Sequence, residues 1–395
     1  MQKHYLSAER IVNIIPDALL DQLSLSDKID YSVKKLRGKT IFKLMLYSFL
    51  SAKTISLRIL EAIYNSVKFK NLFNLPKDRI KHSGIGFRLS TVNYQYFENI
   101  FTYLVRSPEL NEIIFADKKI LARKIDSTLV LLSSKLLAVG MDDNPGKKTL
   151  KFSVEINEGI PVNIMLFKNQ PYLSEENALP VIIKQKTIKN ALNIAIFDKG
   201  IQKIQSFTEF DQAGIHFISR ISTHKMEVIK NLPLKEKETK TLHILADQEV
   251  AFAHEKKTRE AGRHFFRLIT GRTKESGEII KFITNVNFLS AAEITDLYRS
   301  RWEIENFFKF IKQEMNFTHL LSRTENGIKV VMYMTMITAI LLTLYKKANK
   351  IIGWAVAKIK FLDELETELM YGWHGEMSRV FTNRKYQLSN NINSS

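Results

Sequence analysis

Four residues with chemistry to offer, Tyr298, Arg301, Glu305 and Lys312, fall within one short stretch of the chain. Read as part of a single amphipathic helix running from Ala291 through Glu314, they share a face, because at about 100° per residue their offsets from Glu305 place all four within roughly 60° of arc. A carboxylate flanked by a phenol, a guanidinium and an ammonium can hold a divalent metal while the cations grip phosphate oxygens. A solvated helix face with an i,i+4 Arg–Glu pair gives the same pattern.

Two aspartates elsewhere in the chain stand where an acid needs a reason. Asp126 sits inside the strand-like run Ala122–Val130, where propensity and burial both disfavour an acid unless its charge is used. A strand end or a solvent face is the plainer alternative. Asp198 follows the apolar run Ile194–Phe197 and opens Asp198-Lys199-Gly200. The carboxyl end of a strand is where open α/β sheets place active sites, although Asp-Lys-Gly is also ordinary turn chemistry. Asp142 and Asp143 compete with Asp126, but the following Asn144-Pro145-Gly146 reads them as turn residues.

Carboxylates drawn together repel, and bound cations relieve the repulsion. Oxygen ligands suit Mg2+, with Mn2+ as a substitute, and two ions about 3.5–4 Å apart suit in-line phosphoryl transfer. His243, His254 and His264 lack the spacing of a zinc site.

The elements that must position these groups can be read from periodicity. Residues 1–112 carry helical spacing, for instance Phe42, Leu46, Phe49 and Leu50, with few strand signals. From about residue 118 the texture turns to β: Ala122–Val130, Thr149–Ile156 and Val162–Phe167 read as a meander. A helix near Glu175–Lys186, a strand Ala191–Phe197, a helix near Ile201–Phe210 and a strand Ile215–Ile221 follow. That order predicts an α/β fold, a mixed sheet flanked by helices. Short strands at Leu242–Leu245, His264–Ile269 and Ile279–Val286 predict a separate β-rich insertion over 223–288. The expected divisions are a helical basic domain (1–112), a core in two parts (113–222 and 289–350) and a C-terminal helical tail (351–395), whose polar end NNINSS is expected to fray.

Composition narrows the partners. The chain of 395 residues has 59 Lys+Arg against 41 Asp+Glu, a formal charge of +18, which points to a polyanion such as nucleic acid. Residues 31–90 alone hold thirteen Lys/Arg against two acids, Glu61 and Asp78. Such a surplus repels itself unless phosphate lies nearby. There is no cysteine, which excludes disulfides and thiolate zinc sites. The N-terminus lacks the apolar stretch of a signal peptide. Val330–Tyr345 is nearly all apolar, but its 16 residues fall short of the roughly 20 a spanning helix needs. A buried core helix, and no membrane association, is expected.

The spacing Y-(2)-R-(3)-E-(6)-K from Tyr298 to Lys312 resembles the signature of the IS4 family of DDE transposases. The resemblance extends over about residues 80–345. His82-Ser-Gly-Ile-Gly-Phe-Arg88-Leu-Ser90 is similar to the family's N-terminal block, Phe217-Ile-Ser-Arg220 to its F-(V/I)-x-R strand, and Thr284-Asn285 to its T-N turn. It implies a ribonuclease-H-like core in which Asp126, Asp198 and Glu305 form the catalytic triad and hold two Mg2+ ions. Tyr298, Arg301 and Lys312 would then position phosphates of the terminal strand.

It further implies cut-and-paste transposition by a homodimer on double-stranded DNA, at terminal inverted repeats and at a target, in a bacterial cytoplasm in association with the nucleoid. Some members stack an aromatic of the insertion, often Trp, on a flipped base; here 223–288 has none, leaving Phe265, Phe266 or Phe282, while Trp302 is expected to pack. The alternatives are a ribonuclease-H-like nuclease without strand transfer and a transposase-derived DNA-binding regulator.

Overall fold

Apolar runs and β-branched residues from Ile120 onward settle into a sheet whose strands run from 4 to 12 residues. In the computed structural model, residues 5–115, 118–132, 140–185, 191–222, 226–234, 236–252 and 264–371 are described; His254 and the NNINSS tail lie outside them. The chain divides into two compact units, Phe115–Lys309 and Met1–Ile114 with Phe310–Ser395.

Among its described residues the first of these holds ten strands: β1 (Ile120–Leu131), β2 (Met141–Asn144), β3 (Lys147–Asn157), β4 (Ile160–Phe167), β5 (Leu192–Phe197), β6 (His216–Arg220), β7 (Met226–Asn231), β8 (Leu242–Phe252), β9 (Phe266–Thr273) and β10 (Ile279–Thr284). They form one mixed sheet in the order β2-β3-β1-β5-β6-β10-β9-β8-β7, with β4 also paired to β3. The pairs β1–β5 and β5–β6 are parallel, whereas β1–β3 and β6–β10 are antiparallel.

Segment 223–288 is therefore not a separate sheet. Phe282 of β10 lies opposite Arg220 of β6, so these strands satisfy the open edge of the core sheet. Nor are Asp142 and Asp143 turn residues: both lie exposed in the short strand β2, and the turn comes after them.

β5 reads as a continuous apolar run because both its faces are covered. Ala195 and Phe197 point to a core shared with Leu179, Ile182 and Ile183 of the helix Glu175–Ile183 and Phe207 and Phe210 of the helix Ile204–Gln212. Ile194 and Ile196 point to the opposite core, shared with Ile218, Phe282 and with Ala292, Ile294 and Tyr298 of the helix Ala291–Arg299. This is a mixed α/β sheet flanked by helices, as a ribonuclease-H-like core requires.

Two buried ion pairs fix local geometry. Arg123 of β1 makes a bidentate contact with Glu155 of β3, both bonds 2.9 Å, and also donates to the Ile183 carbonyl that ends the helix Glu175–Ile183. Arg267 of β9 does the same with Asp247 of β8 and with the carbonyls of Val286 and Leu289. It thereby holds the segment that leads into the helix Ala291–Arg299. Buried pairs of this kind cost desolvation and are best understood as specifying one arrangement.

In the other unit the apolar run of 330–345 belongs to a longer helix, Glu325–Ala348, started by Thr324, whose hydroxyl accepts from the Gly327 N–H. Its 24 residues are long enough to cross a bilayer, but its most apolar window is 94% buried, so it serves as the unit's central core helix. The N-terminal region is helical, including Gly38–Ser51, His82–Thr91 and Gln95–Arg106. Several of its basic residues are paired internally: Lys39 and Lys43 with Asp17, Lys68 with Glu366, and the buried Arg88 with Asp30 and two carbonyls.

Candidate carboxylate centre

The register of two parallel strands brings the aspartates together. β1 and β5 pair from Ile120↔Leu192 to Lys124↔Ile196, a constant offset that, carried two residues further, sets Asp126 level with Asp198. Neighbouring strands lie about 4.8 Å apart. Asp126 is still within β1, and Asp198 is the first residue after β5, at its carboxyl end.

The third group arrives from helices. Ser290 and Glu293 form a capping box that starts the helix Ala291–Arg299, and the buried Tyr298 lies in its last turn. The chain does not continue as one helix. The Ser300 hydroxyl donates to the Leu297 carbonyl, while Arg301, Glu303 and Ile304 donate to carbonyls only three residues back. This tight turn separates Tyr298 from the second helix, Trp302–Glu314. The single shared face expected for Tyr298, Arg301, Glu305 and Lys312 is thus broken, because a serine side chain competes for the backbone carbonyl.

Tyr298 and Arg301 nonetheless converge with the acids. The Tyr298 hydroxyl donates to Asp198 Oδ1 at 3.0 Å. The Arg301 guanidinium stands 3.4 Å from Asp126 Oδ2, donates to Glu305 Oε1 and lies over the Tyr298 ring. Lys312 lies two turns beyond Glu305, in the part of that helix that belongs to the other unit. Lys124, its side chain only 2% exposed, reaches Glu303 at 3.2 Å and ties the first turn of the Glu305 helix to β1. Trp302 is 63% exposed and does not pack as expected; Phe266 and Phe282 are core residues, and Phe265 is half exposed.

The charges divide the two aspartates. Burial, with the like charges of Glu175 and Asp198, pushes the Asp126 carboxyl up to about 6 against the pull of the Ser127 N–H and Arg301. Burial also raises Asp198, but the Lys199 backbone N–H, Arg301 and the Tyr298 hydroxyl outweigh it and hold that carboxyl below its usual value. Burial and the Asp198 charge push the Tyr298 phenol well above its usual value, so it keeps its proton and donates. Neighbouring acids driven apart in this way mark a site built for charge.

Among the described residues no three His, Asp or Glu side chains stand close enough to hold a metal ion together. The donor set nevertheless fits a hard divalent cation. It is all carboxylate oxygen, Asp126 is destabilised by like charge that a cation would relieve, and the cation now between Asp126 and Glu305 is a guanidinium.

Sequence reasoning passed over Lys124, Glu303 and Glu175. An internal Lys two residues before Asp126, on the same strand face, was a readable signal for the first of these; Glu175 had none beyond its place at a helix start.

Fold and site together define an α/β protein with a carboxylate centre at the carboxyl edge of its parallel strands. The chain belongs to the transposase DDE domain family, whose model matches residues 142–342, just over half of the chain. Asp198, Tyr298, Arg301, Glu305 and Lys312 lie within that stretch and Asp126 before it.

It is 25% identical over 253 residues, 59% of this chain, to a protein of Synechocystis sp. described as a transposase for the insertion sequence element IS4SA. It is 26% identical over 44% of its length to one of Geobacillus stearothermophilus described as a transposase for IS5377, and 27% identical over 40% to the transposase y4zB of Sinorhizobium fredii. The matched stretches span 66%, 45% and 43% of those relatives.

Proposed function

We propose that this protein is a DNA transposase of the IS4 type, which hydrolyses phosphodiester bonds at the terminal inverted repeats of an insertion sequence and joins the freed ends to a target. One observation carries the reading: the Arg301 guanidinium contacts both Asp126 and Glu305, and Tyr298, three residues earlier, donates to Asp198, so two neighbouring residues touch all three acids. Divalent metal, when bound by these three acids, would supply the charge that activates the attacking oxygen and stabilises the leaving one.

The chain's own residues do the positioning. Tyr298, kept protonated, fixes the Asp198 carboxylate. Lys124 and Glu303 hold the helix that carries Glu305 against β1. Arg301 is a planar, permanently charged fork that can exchange its carboxylate partners for the oxygens of a phosphate. Lys312 adds a second cation for the terminal strand. The exposed ring of Trp302, next to Arg301, offers a face on which a base can stack. The basic helical region would hold DNA through phosphates, its surplus reduced by the internal pairs of Lys39, Lys43, Lys68 and Arg88.

The test is cleavage of the element's own end DNA with Mg2+, comparing wild type with Glu305→Gln. Cutting by wild type alone, with end binding retained in the variant, is expected. Equal cutting by both rejects the role of Glu305, and binding without cutting by either turns the reading towards a DNA-binding regulator.

A further inference from the structure

Phosphate contacts alone leave one helix of the basic region unexplained. The helix His82–Thr91 is fastened at both ends and along one side. At its start the His82 N–H donates to Glu61 at 2.7 Å, and the His82 ring stands 2.9 Å from the same oxygen. At its end the Asn326 amide donates to the carbonyls of Leu89, Ser90 and Val92 and accepts from the Tyr94 N–H, satisfying groups that a helix terminus leaves open. Along its flank the buried Arg88 guanidinium donates to the carbonyls of Ile29 and Leu36 and to Asp30.

What these bonds leave uncovered is the outer face. Ile85, Arg88 and Leu89 are buried, whereas Ser83, Phe87, Ser90 and Thr91 fall together within roughly 100° of arc at 100° per residue. Phe87 stands near the middle of that face and is 71% exposed; its companions there carry only short hydroxyl side chains.

A single exposed ring is ordinary on a protein surface. This one sits on a fixed helix beside cations that have no acid to meet. Arg88 holds the loop 29–37 to the helix, and Lys35 ties that loop to the Arg79 carbonyl at 2.8 Å. Lys34, Arg37, Lys77, Arg79 and Lys81 are exposed on these two segments. Of the exposed cations here only Lys35 has an acid partner, Asp78 at 3.6 Å, among the described residues. Such a cluster repels itself and favours a polyanion over a protein surface. A helix about 10 Å across fits the major groove of a DNA duplex, about 12 Å wide. There an apolar tip can meet a thymine methyl and hydroxyls can bond base edges, while flanking cations take the phosphates.

We infer that His82–Thr91 is a sequence-reading helix, laid in the major groove of the element's end with Phe87 against base edges and Arg79 and Lys81 on the phosphates beside it. The basic region then selects its DNA as well as holding it. This deepens the DNA-end reading above and rests on it.

The experiment measures binding of the full chain to two labelled duplexes of equal length, the element's own end and a scrambled version of it, by fluorescence anisotropy over a range of salt. The melting temperature and sedimentation of the protein without DNA are measured alongside. Phe87→Ala should lower affinity for the end by at least about fivefold, the size of one lost base contact, and leave affinity for the scrambled duplex, the melting temperature and the oligomeric state unchanged. Lys81→Gln should weaken both duplexes alike and reduce the slope of log affinity against log salt by about 1. Ser83→Asp puts an acid in the first turn, where a helix accepts it, but aims its charge at base edges. It should cost the end more than the scrambled duplex, and it carries the test if Phe87→Ala does not fold. Equal loss on both duplexes in Phe87→Ala, no loss on either, or an unchanged salt slope in Lys81→Gln overturns the inference. A changed oligomeric state with end selectivity intact makes the face an interface between copies and also overturns it. Wild type that binds both duplexes alike overturns it too, while cleavage, judged by the Glu305→Gln comparison, stands or falls separately.

Discussion

The guanidinium of Arg301 lies between Asp126 and Glu305, 3.4 Å from the first and hydrogen-bonded to the second. A fixed cation thus neutralises acids that would otherwise repel. A phosphate that draws Arg301 away would uncover them. Arg301→Gln should therefore weaken binding of end DNA and strengthen Mn2+ binding in the absence of DNA, each by about tenfold, a shift of the size typical for coupled sites. Calorimetry on the variant checks both; unchanged Mn2+ affinity would mean the guanidinium does not stand in for a cation.

Asp126 makes metal-free stability depend on pH. Its carboxyl is raised from 3.8 in the unfolded chain to about 6 in the folded one, so between those values the unfolded state loses its proton first. Stability contributed by the protonated folded form is full below about pH 4 and is lost as pH rises through 6. Asp126→Asn should match wild type near pH 4 and exceed it by on the order of 3 kcal/mol at pH 7.5. Denaturant melts at the two pH values measure this difference.

Arg123 and Glu155 are both nearly solvent-free, with side-chain exposures of 3% and 5%. Arg123→Met strands a buried carboxylate and should cost about 3–5 kcal/mol, visible as a melting temperature lower by roughly 10 °C. Pairing it with Glu155→Met should recover most of the loss.

Trp302→Ala removes a ring that is 63% exposed and should change stability by less than about 0.5 kcal/mol. If the ring stacks on a base, affinity for end DNA falls about tenfold, within the range of one base–aromatic contact. Fluorescence anisotropy with labelled end DNA reads it directly.

Much of this was legible in the chain because the groups concerned are marked locally. An Asp inside an apolar strand and another at the end of a doubly buried one stand out against their neighbours, and the α/β order follows from the change of period. What escaped depends on distant partners. Gly200 looks like turn chemistry until Glu175, 25 positions earlier, is seen against it. The break at Ser300 is invisible to a periodicity that simply continues through it. The strands of 223–288 continue the core sheet, and nothing in their own alternation says that Phe282 will pair with Arg220. Trp302 departs from the usual burial of aromatic rings, which is what a sequence alone leads one to expect.

The β1–β5 ladder works as a ruler. From Ile120↔Leu192 to Lys124↔Ile196 it advances without a slip, and its count decides which side chains meet at its end. Deleting one residue from either strand ahead of its acid would slide that acid by about 3.3 Å and turn it to the other face. Chemistry could then be silenced by a change that touches none of the carboxylates, which makes hydrogen-bond register as much a part of the centre as the acids themselves.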